Sequence, residues 1–133
     1  MATDEGDRWG RGKDSMDDVY GEGFSATYYP VERTQPYHRE TVEHLFGDVW
    51  SRPGLAIRDR RLLVIGATAA LGRADLVRIQ ALGALRNGEL TPGELREGVL
   101  QLAYYTGWGN ATAVDRGIED AIADHEKEKE AGR

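Results

Sequence analysis

The chain has 133 residues, enough for one domain with a single core. Its formal charge of −6 disfavours nonspecific nucleic-acid binding. It has no cysteine, which removes disulfides, thiolate metal sites and cysteine nucleophiles together.

With 40% hydrophobic and 30% charged residues, the composition is that of a soluble globular protein. No apolar run approaches transmembrane length, and the N-terminus lacks the basic-then-apolar plan of a signal peptide. A cytoplasmic protein with no membrane partner is expected. Its basic residues are 14 Arg and 3 Lys. Arginine suits fixed, bidentate recognition of carboxylates, although a GC-rich genome produces the same bias.

Residues 1–23 are rich in Gly and Asp and show no periodicity. They read as a disordered tail or as an arm over a neighbouring subunit anchored by Trp9. The first periodic helix spans Pro36 to Trp50, with proline at an early position and Val42, Leu45, Phe46 and Val49 as its buried stripe. His38 and His44 are six residues apart and face different sides of that helix, and His125 lies in a charged tail, so no metal site is expected. Ser51-Arg52-Pro53-Gly54-Leu55 is a turn.

A second helix, Arg58 to Leu71, is apolar almost all round and is therefore expected to be central and buried on every side. Arg58, Arg60 and Arg61 in its first turn oppose the helix dipole, so they need partners: Asp59, Asp48, Glu97 or an anionic ligand. Gly72 ends it. The third helix, Ala74 to Arg86, carries Leu76, Ile79 and Gly83 on one stripe with Gln80 at the edge, and Asn87-Gly88 closes it.

Thr91-Pro92-Gly93-Glu94 is a capping box with proline at the first helical position. The helix it opens runs to about Tyr105, where Gly107 and Gly109 stop it. Leu95, Val99, Leu102 and Thr106 make an ordinary core face. Glu97, Gln101, Tyr104 and Trp108, with Tyr105 beside them, make a polar and aromatic second face that meets a ligand or another subunit. Asn110 is placed to cap a last helix from Ala111 to about His125, with Val114, Ile118, Ala121 and Ile122 inward, ahead of a fraying charged end. The sum is an all-α fold of about five main helices. The expected division is an N-terminal arm at 1–33, a helical domain at 34–123 and a charged tail at 124–133.

The segment FGDVWSRPGL, Phe46 to Leu55, is similar to the WGxxWxRPGL signature of the carboxymuconolactone decarboxylases. Arg60 falls where that family has the arginine opening its next helix. AALGRADL (Ala69–Leu76), GALRNG (Gly83–Gly88) and TPGELREGVLQLAYYTGW (Thr91–Trp108) follow in family order and spacing. The resemblance covers roughly residues 40–122. It implies an AhpD-like helical subunit assembled as an oligomeric ring, a trimer or hexamer, that decarboxylates without metal or organic cofactor. A sister branch of peroxidase partners needs a CxxC pair on the helix matching Tyr104 to Gly107, and this chain has none. Gln80 and Gln101 stand where decarboxylases often carry His, and glutamine holds a hydrogen bond without donating a proton near neutral pH.

The chemistry that the resemblance implies requires an enzyme to grip a leaving carboxylate, stabilise an enolate oxygen and deliver a proton. Arg60 and Arg52 are the candidate grips. Glu97 is the candidate proton carrier, provided burial raises its pKa, and Tyr104 the oxyanion donor. Gln80 and Gln101 would orient a small anionic substrate, and Trp50 and Trp108 would wall the pocket. Arg60 paired to Glu97 as a structural bridge, and Trp50 as plain core, are the competing readings. Three functions follow: a lyase on an unsaturated acid or lactone, as in aromatic-compound breakdown; a relative recruited to an isomerase, cyclase or dehydratase step; and an oligomeric binding protein without catalysis.

Overall fold

The computed structural model describes residues 7–132, which are helical throughout their regular structure, with no strand among them. Instead of the single core expected from length, the chain divides into two compact units, Met1–Ile57 and Arg58–Arg133. The Pro53-Gly54 turn precedes the division.

In the first unit, α1 (Arg8–Tyr20) and α2 (Phe24–Tyr28) precede α3 (Pro36–Arg39), which continues without a break into a π-helical segment, π1 (Glu40–Val49). Of the stretch expected as a tail or an arm, residues 1–6 lie outside the described ones, and the rest is largely helix, with α1 packed on π1 of its own chain. Two features make this possible. Trp9, Met16 and Val19 recur on one face and are buried. Gly12 lets the two backbones touch: a Cβ there would lie 1.9 Å from the Val42 carbonyl oxygen.

The π1 segment also corrects the expected stripe. Its wider turn is closed by i→i+5 bonds such as Trp50 N–H to the Leu45 carbonyl, at 2.9 Å. Residues four apart then stay in line, so Val42, Phe46 and Trp50 are buried while Leu45 turns out to solvent. The Trp50 and Phe46 rings stack at 6.2 Å, so Trp50 is core of this unit, as the plainer reading had it.

The second unit comprises α4 (Ile57–Ala70), α5 (Ala74–Arg86), α6 (Pro92–Thr106) and α7 (Trp108–Glu130). Its core draws Ile65 and Ala69 from α4, Val77, Ala81, Ala84 and Leu85 from α5, Leu95 from α6, and Val114, Ile118 and Ala121 from α7. Of the expected α5 stripe, Gly83 is buried, with Gln80 beside it, but the rest of the stripe is shifted. Val77 and Ala81 face inward, and Ile79 is exposed.

The helix expected to be covered on all sides is covered on one. α4 buries only Arg61, Ile65, Thr68 and Ala69, while Leu62 is 43% and Leu63 64% exposed. The other helices of the second unit pack on one face of α4 only, and its second apolar face has no cover from them.

The capping box of α6 forms as read, with Glu94 N–H donating to Thr91 Oγ1 and Thr91 N–H to Glu94 Oε1, both at 3.0 Å. Thr91→Ala should cost about 1 kcal/mol, measured by chemical unfolding. The break at Gly107 (φ +91°) separates α6 from α7. Asn110 does not cap α7. It lies inside the first turn, donating to the Ala70 and Thr106 carbonyls at 3.1 Å each. The charged end expected to fray continues as helix to Glu130. Arg78 grips Asp124 and Arg86 grips Glu128, which fasten it to α5.

Candidate active site

Between α4 and α6 a cleft of about 210 Å³ opens onto the unit's core, with Val114 and Ile118 of α7 at its base. Its walls are almost wholly apolar. The polar side chains on it are Glu94 and Gln101, both from α6. Glu94 is committed to the capping box and stands 3.7 Å from Arg58. Gln101 is therefore the expected site residue that the structure brings to the cleft.

The rest of the polar and aromatic face of α6 points outward. Glu97 is exposed, so one chain does not supply the burial required of a neutral carboxyl. Tyr104 is 74% exposed and meets Trp108 edge to face, with ring centroids 5.6 Å apart. Trp108 edges a shallower hollow of about 300 Å³ between α6 and α7, beside Leu100, Arg96 and Asp115. Arg96 donates from Nε and Nη2 to Glu119 at 2.8 and 2.9 Å. Those hydrogen bonds hold the Glu119 carboxyl below the ordinary carboxylate range, against a smaller opposing desolvation.

Arg60 is half-buried, and Arg52, in the first unit's closing turn, is exposed. The arginine that the fold buries is their neighbour Arg61, fully enclosed. It donates from Nε and Nη2 to the two carboxylate oxygens of Glu89, each at 3.0 Å, and from Nη1 to Gln80 Oε1 at 3.1 Å. Asn87 adds a 2.9 Å bond to Glu89 Oε2. Neighbouring Arg58 bonds the Glu89 carbonyl at 3.0 Å. The partners of the α4 arginines thus include Glu89 and Glu94, which were not among the expected candidates.

Gln80 is buried, and since arginine only donates, its carbonyl end must face Arg61. Sequence reasoning missed this network, yet the signal was there. Arg61, Ile65, Thr68 and Ala69 stand at i, i+4, i+7 and i+8, so Arg61 falls on the core stripe, while Arg58 and Arg60 do not.

No group of three or more His, Asp or Glu that could hold a metal occurs among the described residues, and no helix there is long and apolar enough to cross a membrane.

The all-α class is the one that the sequence signature implied, and the helix opened by the TPGE capping box forms one wall of the cleft. The chain belongs to the carboxymuconolactone decarboxylase family, whose model matches residues 35–120. Among curated relatives, 4-carboxymuconolactone decarboxylase of Acinetobacter baylyi is 37% identical over 79 residues, covering 59% of this chain and 58% of the relative. Nitrosuccinic acid decarboxylase of Metarhizium robertsii is 36% identical over 74 residues, covering 56% of this chain and 51% of the relative. The matched region thus spans little more than half the length of these relatives.

Proposed function

We propose that the protein is a cofactor-free decarboxylase of a small carboxylic acid or lactone in which the leaving carboxylate is next to an electron sink. The observation that carries this reading is that two relatives named for different acids are both named decarboxylases. What the named acids share is a carboxylate and a group able to take up electrons, a lactone carbonyl in one and a nitro group in the other. Loss of CO₂ leaves an electron pair that such a sink accepts, and the resulting carbanion then takes a proton.

In this reading the apolar body of the substrate occupies the α4–α6 cleft with Gln101 at its edge. Arg60 grips the anionic end, Tyr104 donates to the developing oxyanion and Glu97 delivers the proton. Burial of Glu97 and Tyr104 requires a second copy of the chain. The uncovered apolar side chains of α4 and the Tyr104, Tyr105 and Trp108 rings support such an assembly, because soluble monomers rarely leave large apolar patches open.

The test is CO₂ release by purified protein from 4-carboxymuconolactone and from nitrosuccinate, with assembly mass measured alongside. Turnover of at least one acid is expected. Glu97→Gln should lower kcat by about 10²-fold or more while leaving the mass unchanged; a wild-type rate would remove Glu97 from the mechanism.

One observation favours a second reading. Gln80, at a position where the resemblance leads one to expect His, is held by Arg61, and Gln101 stands at another such position. A different cofactor-free step, an isomerisation, cyclisation or dehydration, or binding without catalysis, would leave both acids intact while a related acid still raised the melting temperature.

A further inference from the structure

Two glycines stand in helix interiors with no packing reason to be there. Gly66 of α4 and Gly98 of α6 are half-buried and neither has a positive φ. A Cβ built at either would meet nothing within 4 Å. The contrast is Gly117 of α7, where a Cβ would lie 2.6 Å from the Ala74 carbonyl oxygen. Glycine is the least favourable helix-interior residue short of proline, so α4 and α6 each give up stability without a close contact in return. Both positions line the same cleft, one on each wall.

We infer that Gly66 and Gly98 are the specificity-determining positions of this cleft, their missing methyl groups keeping a slot open for the apolar body of a small acid. The inference rests on the cleft being the substrate site. At about 210 Å³ the slot is smaller than the roughly 300–1,000 Å³ of pockets that hold drug-sized ligands, which suits one small ring or a short unsaturated chain. Its base is core, Val114 and Ile118, and with Glu94 committed to its cap, Gln101 is the remaining polar side chain on its wall.

The experiment compares Gly66→Ala, Gly98→Ala and the double variant with Gly109→Ala, a helical glycine of α7 outside the cleft where a Cβ also meets nothing within 4 Å. Melting temperature, assembly mass and calorimetric affinity for indole and for 4-carboxymuconolactone are measured on the full chain. All four variants should melt at or above the wild-type temperature. Only the cleft variants should lose affinity, the double variant by about tenfold or more.

If the wild type releases no CO₂ yet the cleft variants lose indole or lactone binding, the decarboxylase reading fails and the slot stands. Unchanged affinity in the double variant overturns the inference, as does a wild type that binds neither compound. Cleft variants that melt lower and lose assembly mass also overturn it, and would assign the glycines to contact with a second copy.

Discussion

Arg61→Ala is expected to destabilise the second unit by about 3–5 kcal/mol, read as a lower midpoint in urea or guanidinium unfolding. Arg61 is wholly enclosed and the Glu89 side chain is only 11% exposed. Truncating the arginine leaves a carboxylate out of water with Asn87 as its remaining described side-chain donor, and leaves the Gln80 carbonyl without its guanidinium. The cost arises from that stranded charge more than from the lost attraction. A double replacement, Arg61→Met with Glu89→Leu, should therefore recover most of the loss. Arg58→Ala is the internal comparison: its side chain is 44% exposed and 3.7 Å from a half-exposed Glu94, so the ion pair contributes less than about 1 kcal/mol. Equal losses for Arg58→Ala and Arg61→Ala would refute the assignment of Arg61 as the buried clamp between α4, α5 and the loop that leads into α6.

Gly12→Ala is expected to undock α1 from π1. The added methyl would sit 1.9 Å from the Val42 carbonyl oxygen and 2.8 Å from a Val42 side-chain carbon. The first of these is backbone and cannot rotate aside. Overpacking commonly costs about 1–3 kcal/mol, and a clash between two helix backbones belongs at or above the top of that range. Amide hydrogen exchange across residues 8–20 is the direct readout, since a loss of about 3 kcal/mol multiplies local opening by roughly a hundredfold. Gly54→Ala, where a Cβ meets nothing within 4 Å, is the control and should leave α1 protection unchanged. Wild-type protection in Gly12→Ala would mean that α1 has another way to dock. The neighbouring face, where Tyr20 meets both Phe24 and Phe46, would then be the place to look.

The signals that were legible in the sequence are local ones. The capping box at Thr91 and Glu94, the stop at Gly107, the Pro36 start and the all-α class each depend on residues within a turn of one another. The family signature is also local, a set of short segments in order, and the match over residues 35–120 agrees with it. Where the reading failed, the deciding partner was far along the chain or the helical period had changed. Arg61 needed Glu89, 28 residues away. The Leu45 stripe assumed 3.6 residues per turn in a segment that is π-helical. Asn110 had the residue type of a cap but was drawn inside the helix by the Ala70 carbonyl, 40 residues back.

For this protein, then, the sequence by itself determined the main helices from Pro36 onward, the Thr91 capping box and the family, because hydrophobic period and capping chemistry act over a few residues. Tertiary structure alone decided that Arg61 is met by Glu89 and that Gly12 presses on a carbonyl. It also decided that α4 is covered on one side and that Gly66 and Gly98 face a common cleft. Those facts depend on what another helix places opposite a side chain, and periodicity within one helix carries no record of its neighbours.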